Sequence, residues 1–102
     1  MVNRTSLSQQ QLEQLIQAES VNTNNIVFTD HILSQMRKRK ITNACVLDTL
    51  RKGRIRRTPE PNLMYGTLEC RMEYFCTGQT VGVIVAVSDT DPELILVTAM
   101  YI

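Results

Sequence analysis

The chain contains no Trp, three Tyr and two Phe among 102 residues. Aromatic scarcity argues against an extended base-stacking platform of the kind many single-strand binders use. There is one histidine, His31, and three cysteines, Cys45, Cys70 and Cys76. A lone imidazole with no closely spaced cysteine pair does not fit the usual structural zinc patterns, so no metal is expected. An odd number of cysteines at irregular spacing argues against a disulfide framework, and all three are expected to be reduced structural residues. The longest apolar run, Val81 to Val87, is too short to span a bilayer. The Gln-rich stretch from Met1 to Gln17 has no apolar segment resembling a secretion signal, which makes a cytoplasmic location the expectation. A Gly-rich phosphate loop, a Gly-x-Ser-x-Gly elbow and a His-Glu-x-x-His motif are all missing, and no cofactor is implied.

What is present is a concentration of positive charge. Of eleven Lys and Arg residues, Arg37, Lys38, Arg39, Lys40, Arg51, Lys52, Arg54, Arg56 and Arg57 fall in one window that holds a single acid, Asp48. Nine cations minus one anion leave a local excess of about eight, although the formal net charge is only +1. Such an island suits a polyanion partner, RNA above all, and suits equally a solvated charged face.

Ser8 can cap a first helix, with Gln11 as its capping-box partner and Leu12, Leu15 and Ile16 as an apolar stripe reaching about Glu19. Asn and Thr residues from Asn22 to Asn25 end it. Residues 1–25 read as an accessory polar element and residues 26–102 as a single α+β domain. Thr29 or Asp30 caps a second helix from His31 to about Lys40. At about 100° per residue, Ile32, Met36 and Leu33 form its apolar face, while His31, Gln35 and Arg39 fall at about 0°, 40° and 80° and share one polar stripe. Lys38 points outward. Thr42 begins a third helix with Val46, Leu47 and Leu50 inward and Gly53 just past its end. Arg51 and Lys52 in its last turn suit the helix dipole.

Strands are expected from Arg54 to Thr58, within Leu63 to Cys76 with a bulge near Gly66, from Thr80 to Val87, and from Leu94 to Ile102. Pro59 to Asn62, Thr77 to Gln79 and Ser88 to Pro92 read as turns. The expected architecture is α+β, with N-terminal helices packed on one face of a three- to four-stranded antiparallel meander. Met36, Met64, Met72 and Met100 read as core filler.

His31-x7-Arg39-x-Ile41, followed by Thr42, Val46, Leu50 and Gly53, resembles a small bacterial family, domain of unknown function 4258. The ending Val97-Thr98-Ala99-Met100-Tyr101 is similar to that family's terminal strand. Gln35 departs from an Arg often found there, and Lys40 stands where Gly is common. The resemblance implies a fold similar to the RelE-like and BrnT-like toxins, small α+β proteins that act on RNA, and hence a neutralising antitoxin as a partner. Fold analogy alone does not establish activity.

Metal-free RNA cleavage needs a base for the 2′-hydroxyl, an acid for the leaving oxygen and cations for the charge on phosphorus. His31 suits the acid or base role, Arg39 the phosphate clamp, and Tyr101 a supporting hydroxyl. Gln35, Lys38, Arg54, Arg56 and Arg57 are the candidate nucleic-acid contacts, the last three provided that their strand lies beside the second helix. Plainer roles stand next to these. His31 can cap or pack, Arg39 can bridge to a carboxylate or a sheet edge, the three arginines can protect an edge strand, and Tyr101 can be a half-buried strand residue. In an extended final strand Thr98 and Tyr101 face opposite ways, so both line one site only if the strand is bulged. The rival to a toxin-like ribonuclease is a non-catalytic interaction protein that binds an acidic partner through the same basic face.

Overall fold

The computed structural model describes residues 3–102. Its first helix, α1 (Gln9–Glu19), starts on a full capping box. The Ser8 hydroxyl accepts from the Gln11 N–H at 3.2 Å, and the Gln11 side chain accepts from the Ser8 N–H at 2.9 Å. Strand β1 (Ile26–Phe28) leads into α2 (Asp30–Arg39), capped by Thr29, and α3 (Asn43–Lys52) follows, capped by Thr42. Then come β2 (Arg54–Ile55), β3 (Glu60–Asn62), β4 (Thr67–Cys76), β5 (Gln79–Ser88) and β6 (Leu94–Tyr101).

These strands make one open six-stranded sheet in the order β1-β6-β5-β4-β2, with β3 also pairing to β4. The α+β class is as expected, but the sheet is larger than a three- to four-stranded meander and is mixed. β4, β5 and β6 do run antiparallel in sequence order, whereas β1 pairs with β6 in parallel. A three-residue strand after a run of asparagines carries no alternation to read. Its partner lies far along the chain, so no local turn announces the pairing. β3 likewise occupies Pro61 and its neighbours, which read as a turn; proline is tolerated there because the strand lies outside the main order of the sheet.

Alternation along β5 decides where the core sits. Val81, Val83, Val85 and Val87 are fully buried beneath the helices, together with Met72 of β4 and Leu94, Leu96 and Ala99 of β6. Leu12 and Ile16 of α1, Ile32 and Met36 of α2, and Val46 and Leu50 of α3 complete the same cluster. The first helix is thus built into the core of residues 26–102. Leu33, expected inward, is 38% exposed on the outer side of α2, and Met64 lies exposed at a loop tip beside Leu63 and Tyr65. Among the described residues no helix covers the opposite face of the sheet.

A bulge governs the end of β6. Ile84 pairs with Thr98 but Val85 pairs with Leu96, so Val97 is an extra residue. Leu96, Ala99 and Tyr101 consequently share the helix-covered face, while Thr98 pairs with Ile84 on the open one. Thr98 and Tyr101 still face opposite ways, and the bulge is what places Tyr101 below α2.

Gly53 is required by close approach, since a Cβ there would meet the Glu73 carbonyl oxygen at 2.8 Å, and its φ of −76° is ordinary. Thr77 (φ 48°) and Gly78 (φ 85°) give the two-residue turn between β4 and β5 the handedness that suits a hairpin.

The cysteine expectation is corrected. Cys45 and Cys76 form a disulfide, with Cα atoms 6.2 Å apart, that ties the first turn of α3 to the end of β4. Their separation of 31 residues in sequence holds no cue that helix and strand end meet in space. Cys70 alone is free, and burial pushes its thiol up to about 12. Near the N-terminus, Thr5 donates its N–H and hydroxyl to Asp89 at 2.9 and 2.8 Å, and these bonds hold the Asp89 carboxyl below the usual range.

Candidate functional site

Helical periodicity brings His31, Gln35 and Arg39 to one border of α2, and the bulged end of β6 lies against that border. Among the described residues β6 has no strand on this side beyond Leu96, because β1 pairs only with Leu94 to Leu96. Its outer backbone groups meet side chains instead. Thr29 donates to the Leu96 carbonyl at 2.7 Å, the Ala99 N–H donates to Gln35 Oε1 at 3.2 Å, and Arg39 donates to the Ala99 carbonyl at 2.6 Å. Gln35 and Arg39 therefore do for Ala99 what a neighbouring strand would do, which closes the edge. This is the sheet-edge role open to Arg39 from sequence.

The hydrogen-bond chain continues to the histidine. Because Gln35 Oε1 accepts from Ala99, its amide nitrogen is the group 2.9 Å from His31 Nε2 and donates to it. The neutral imidazole then carries its proton on Nδ1, a tautomer assigned from the bonding pattern. His31 itself is exposed. Tyr101, 42% exposed, donates its hydroxyl to the Lys40 carbonyl at 3.1 Å. Lys40 ends α2 in the left-handed conformation, φ 56° and ψ 42°, which favours glycine.

His31, Gln35, Arg39 and Tyr101 thus gather along α2 and the β6 edge. Arg37, Lys38 and Lys40 extend the strip as exposed cations, and among the described residues none of the three makes an ion pair. The second basic segment lies elsewhere. β2 is the far edge of the sheet, three strand spacings from β6 or roughly 14 Å. Ile55 turns into the core, so Arg54 and Arg56 turn to the helix-free face. The proviso that this strand lie beside the second helix is not met.

Around Arg54 and Arg56 a groove of about 330 Å³ includes Lys52, Glu73 and the exposed ring of Phe75. Arg57 borders a separate cleft of about 240 Å³ with Glu60, Glu69 and Arg71. A wider one of about 510 Å³ runs between Tyr65, Thr67, Ile95 and Val97. Two other members of the island have structural work: Arg51 donates to the Ser20 carbonyl at 2.8 Å, and Lys52 lies 3.7 Å from Asp48.

One functional signal escaped the sequence. Gln9, Glu13 and Gln17 recur every four residues on α1 and meet the free edge of β2. Gln9 donates to the Ile55 carbonyl at 3.0 Å, the Ile55 N–H donates to Glu13 at 2.9 Å, and Gln17 donates to the Gly53 carbonyl at 2.8 Å. The spacing was visible; its target was not. Among the described residues no group of three or more His, Cys, Asp or Glu side chains could hold a metal ion, and no helix is long and apolar enough to cross a membrane.

Comparison with known proteins gives one result. The family model described as Domain of unknown function (DUF4258) matches residues 28–101, which excludes α1 and includes the whole α2–β6 strip. No curated protein and no solved structure matches the chain.

Proposed function

Because the chain belongs to this family, whose description assigns no activity, we propose from its own residues that it is an RNA-directed, toxin-like protein of RelE-like type. The observation that carries the reading is the run Arg37-Lys38-Arg39-Lys40, exposed at the end of the helix that also presents His31. Cations in a row on one helix end offer several phosphate contacts at once.

In its catalytic form the reading needs no metal. A base takes the proton of a ribose 2′-hydroxyl, that oxygen attacks phosphorus, and the 5′-oxygen leaves with a proton from an acid. His31 is the group suited to either transfer: released from Gln35, its Nε2 takes a proton as base, and the imidazolium so formed gives one up as acid. Arg39 uses one N–H on the Ala99 carbonyl and retains other donors of its fork for a phosphate. Tyr101 stands at the end of the strip as a supporting hydroxyl.

A second reading has its own support. Gln35 and Arg39 both bond to Ala99, which favours a non-catalytic interaction protein that uses the same cations on an acidic partner.

Salt and mutation separate these readings. RNA retained at low salt and released steeply at moderate salt supports RNA engagement; no retention even at low salt defeats it. For cleavage, the wild-type chain is expressed beside His31→Ala and Arg39→Ala. RNA cleavage or growth arrest that falls in both variants supports the α2 strip, and activity unchanged in both removes it.

A further inference from the structure

The helix-free corner formed by β2 and the end of β4 has a composition that the α2 strip lacks. Alternation along β4 sends Cys70 and Met72 to the core and leaves Glu73 and Phe75 on the other face. Phe75 is 67% exposed, although the core lies just beneath its strand. Arg54 and Arg56 share that face, about 7 Å apart along β2. With Lys52 they line one groove with the ring, and the register that sets Arg54 opposite Glu73 puts both arginines to one side of it. The one acid there, Glu73, is only 9% exposed and accepts from Arg71 at 2.9 and 3.0 Å, so its charge is already met. Among the described residues Arg54 and Arg56 make no ion pair.

We infer that Phe75, Arg54 and Arg56 form a binding point for single-stranded RNA, in which one unpaired base stacks on the Phe75 ring while the arginines hold successive phosphates to one side of it. The inference rests on the RNA-directed reading above and names its substrate as unpaired rather than duplex. An aromatic face accepts any base, provided that the base is free of its own stack. The arginines beside it supply the salt-dependent part of the affinity. A purely electrostatic site would have no use for an exposed phenyl ring beside its cations, and an acidic peptide offers that ring nothing to stack. Two contacts on opposite faces also fit one flexible strand better than a rigid helix.

The test is fluorescence anisotropy of the full chain with a labelled oligouridine, the same oligomer annealed to oligoadenosine, and polyglutamate as a competitor. Phe75→Ala is expected to weaken oligouridine binding roughly five- to a hundredfold, with Phe75→Tyr close to wild type. Arg54→Ala combined with Arg56→Ala is expected to reduce the salt slope by roughly 1.4, the value for two single-strand phosphates. The duplex is expected to bind more weakly than the single strand. Phe75 is exposed, and circular dichroism melts confirm that each variant is folded. Wild-type binding that persists unchanged in Phe75→Ala and in the double arginine variant overturns this site and leaves RNA engagement standing. Polyglutamate or duplex bound as tightly as oligouridine, indifferent to Phe75, also overturns it. A wild-type chain that binds no RNA at low salt removes both this site and the functional reading beneath it.

Discussion

At the β2 edge of the sheet the closing groups are Gln9, Glu13 and Gln17 of α1; at the β6 edge they are Thr29, Gln35 and Arg39 at α2. Each helix lays a polar stripe of spacing four along the border of its buried face, and each stripe supplies an unpaired strand with donors and acceptors. The resemblance explains why a polar stripe on a helix is poor evidence of a site by itself. The difference is more instructive. On α1 all three members reach strand backbone, whereas on α2 the first member, His31, touches only Gln35 among the side-chain bonds. Gln35 and Arg39 have an architectural duty that α1 shows to be ordinary for this fold. His31 does not, which makes it the informative residue of its stripe.

The largest expected effect lies under the α1 edge. Leu12→Ala, at a fully buried position, should cost about 2–5 kcal/mol in urea unfolding. It should also speed hydrogen exchange of the Ile55 amide more than that of Ala99. Equal acceleration of both amides would mean that the two edges open only with the whole molecule. Next comes the link between α3 and β4: replacing Cys45 and Cys76 together by Ala should cost about 3.7 kcal/mol, the chain-entropy value for a loop of 31 residues. Reduction of the wild type should have the same effect in the same unfolding measurement.

The comparison itself is tested by single caps. Glu13→Ala and Gln35→Ala each strip a strand N–H of its acceptor and should each cost about 1–2 kcal/mol. His31→Ala should stay within about 0.5 kcal/mol, as an exposed residue bonded only to another side chain. A His31 variant as destabilised as Gln35→Ala would give that residue an architectural duty after all. One change at this edge is a gain. Lys40→Gly should stabilise by about 0.5–1 kcal/mol, because relief of a left-handed conformation that costs an L-residue about 1–2 kcal/mol outweighs the extra backbone entropy glycine loses on folding. The matching change at Ser20, where α1 ends in a right-handed conformation, should bring no such gain.

Much of this frame was legible because it is local. Ser8, Thr29 and Thr42 cap the helices as their side chains suggest, and Gly78 sits in a left-handed turn between two strands that alternate as expected. The angular count placed His31, Gln35 and Arg39 on one border, where the structure has them. What the border faces was not legible, since that depends on β6 lying next to β1 and ending unpaired, a matter of strand order. Ile26 to Phe28 passed unnoticed for the same reason. The separation of Arg54 and Arg56 from α2 and the meeting of Cys45 with Cys76 are also facts of topology, and no spacing in the chain encodes them. Scarcity of aromatics speaks against an extended stacking platform and says nothing of a single ring, so the exposure of Phe75 beside cations is legible only in the fold.

Val97, the extra residue of the β6 bulge, acts as a frame setter for everything after it. Were it paired in an even ladder opposite Ile84, the last four positions would exchange faces: Thr98 and Met100 would turn under α2, and Ala99 and Tyr101 would turn away from it. Deleting it would instead set Leu96 next to Thr98 and leave Ala99 and Tyr101 facing the helix. Loss of this one residue is therefore the length change the terminal strand should accept, whereas a second deletion before Tyr101 would turn the tyrosine out.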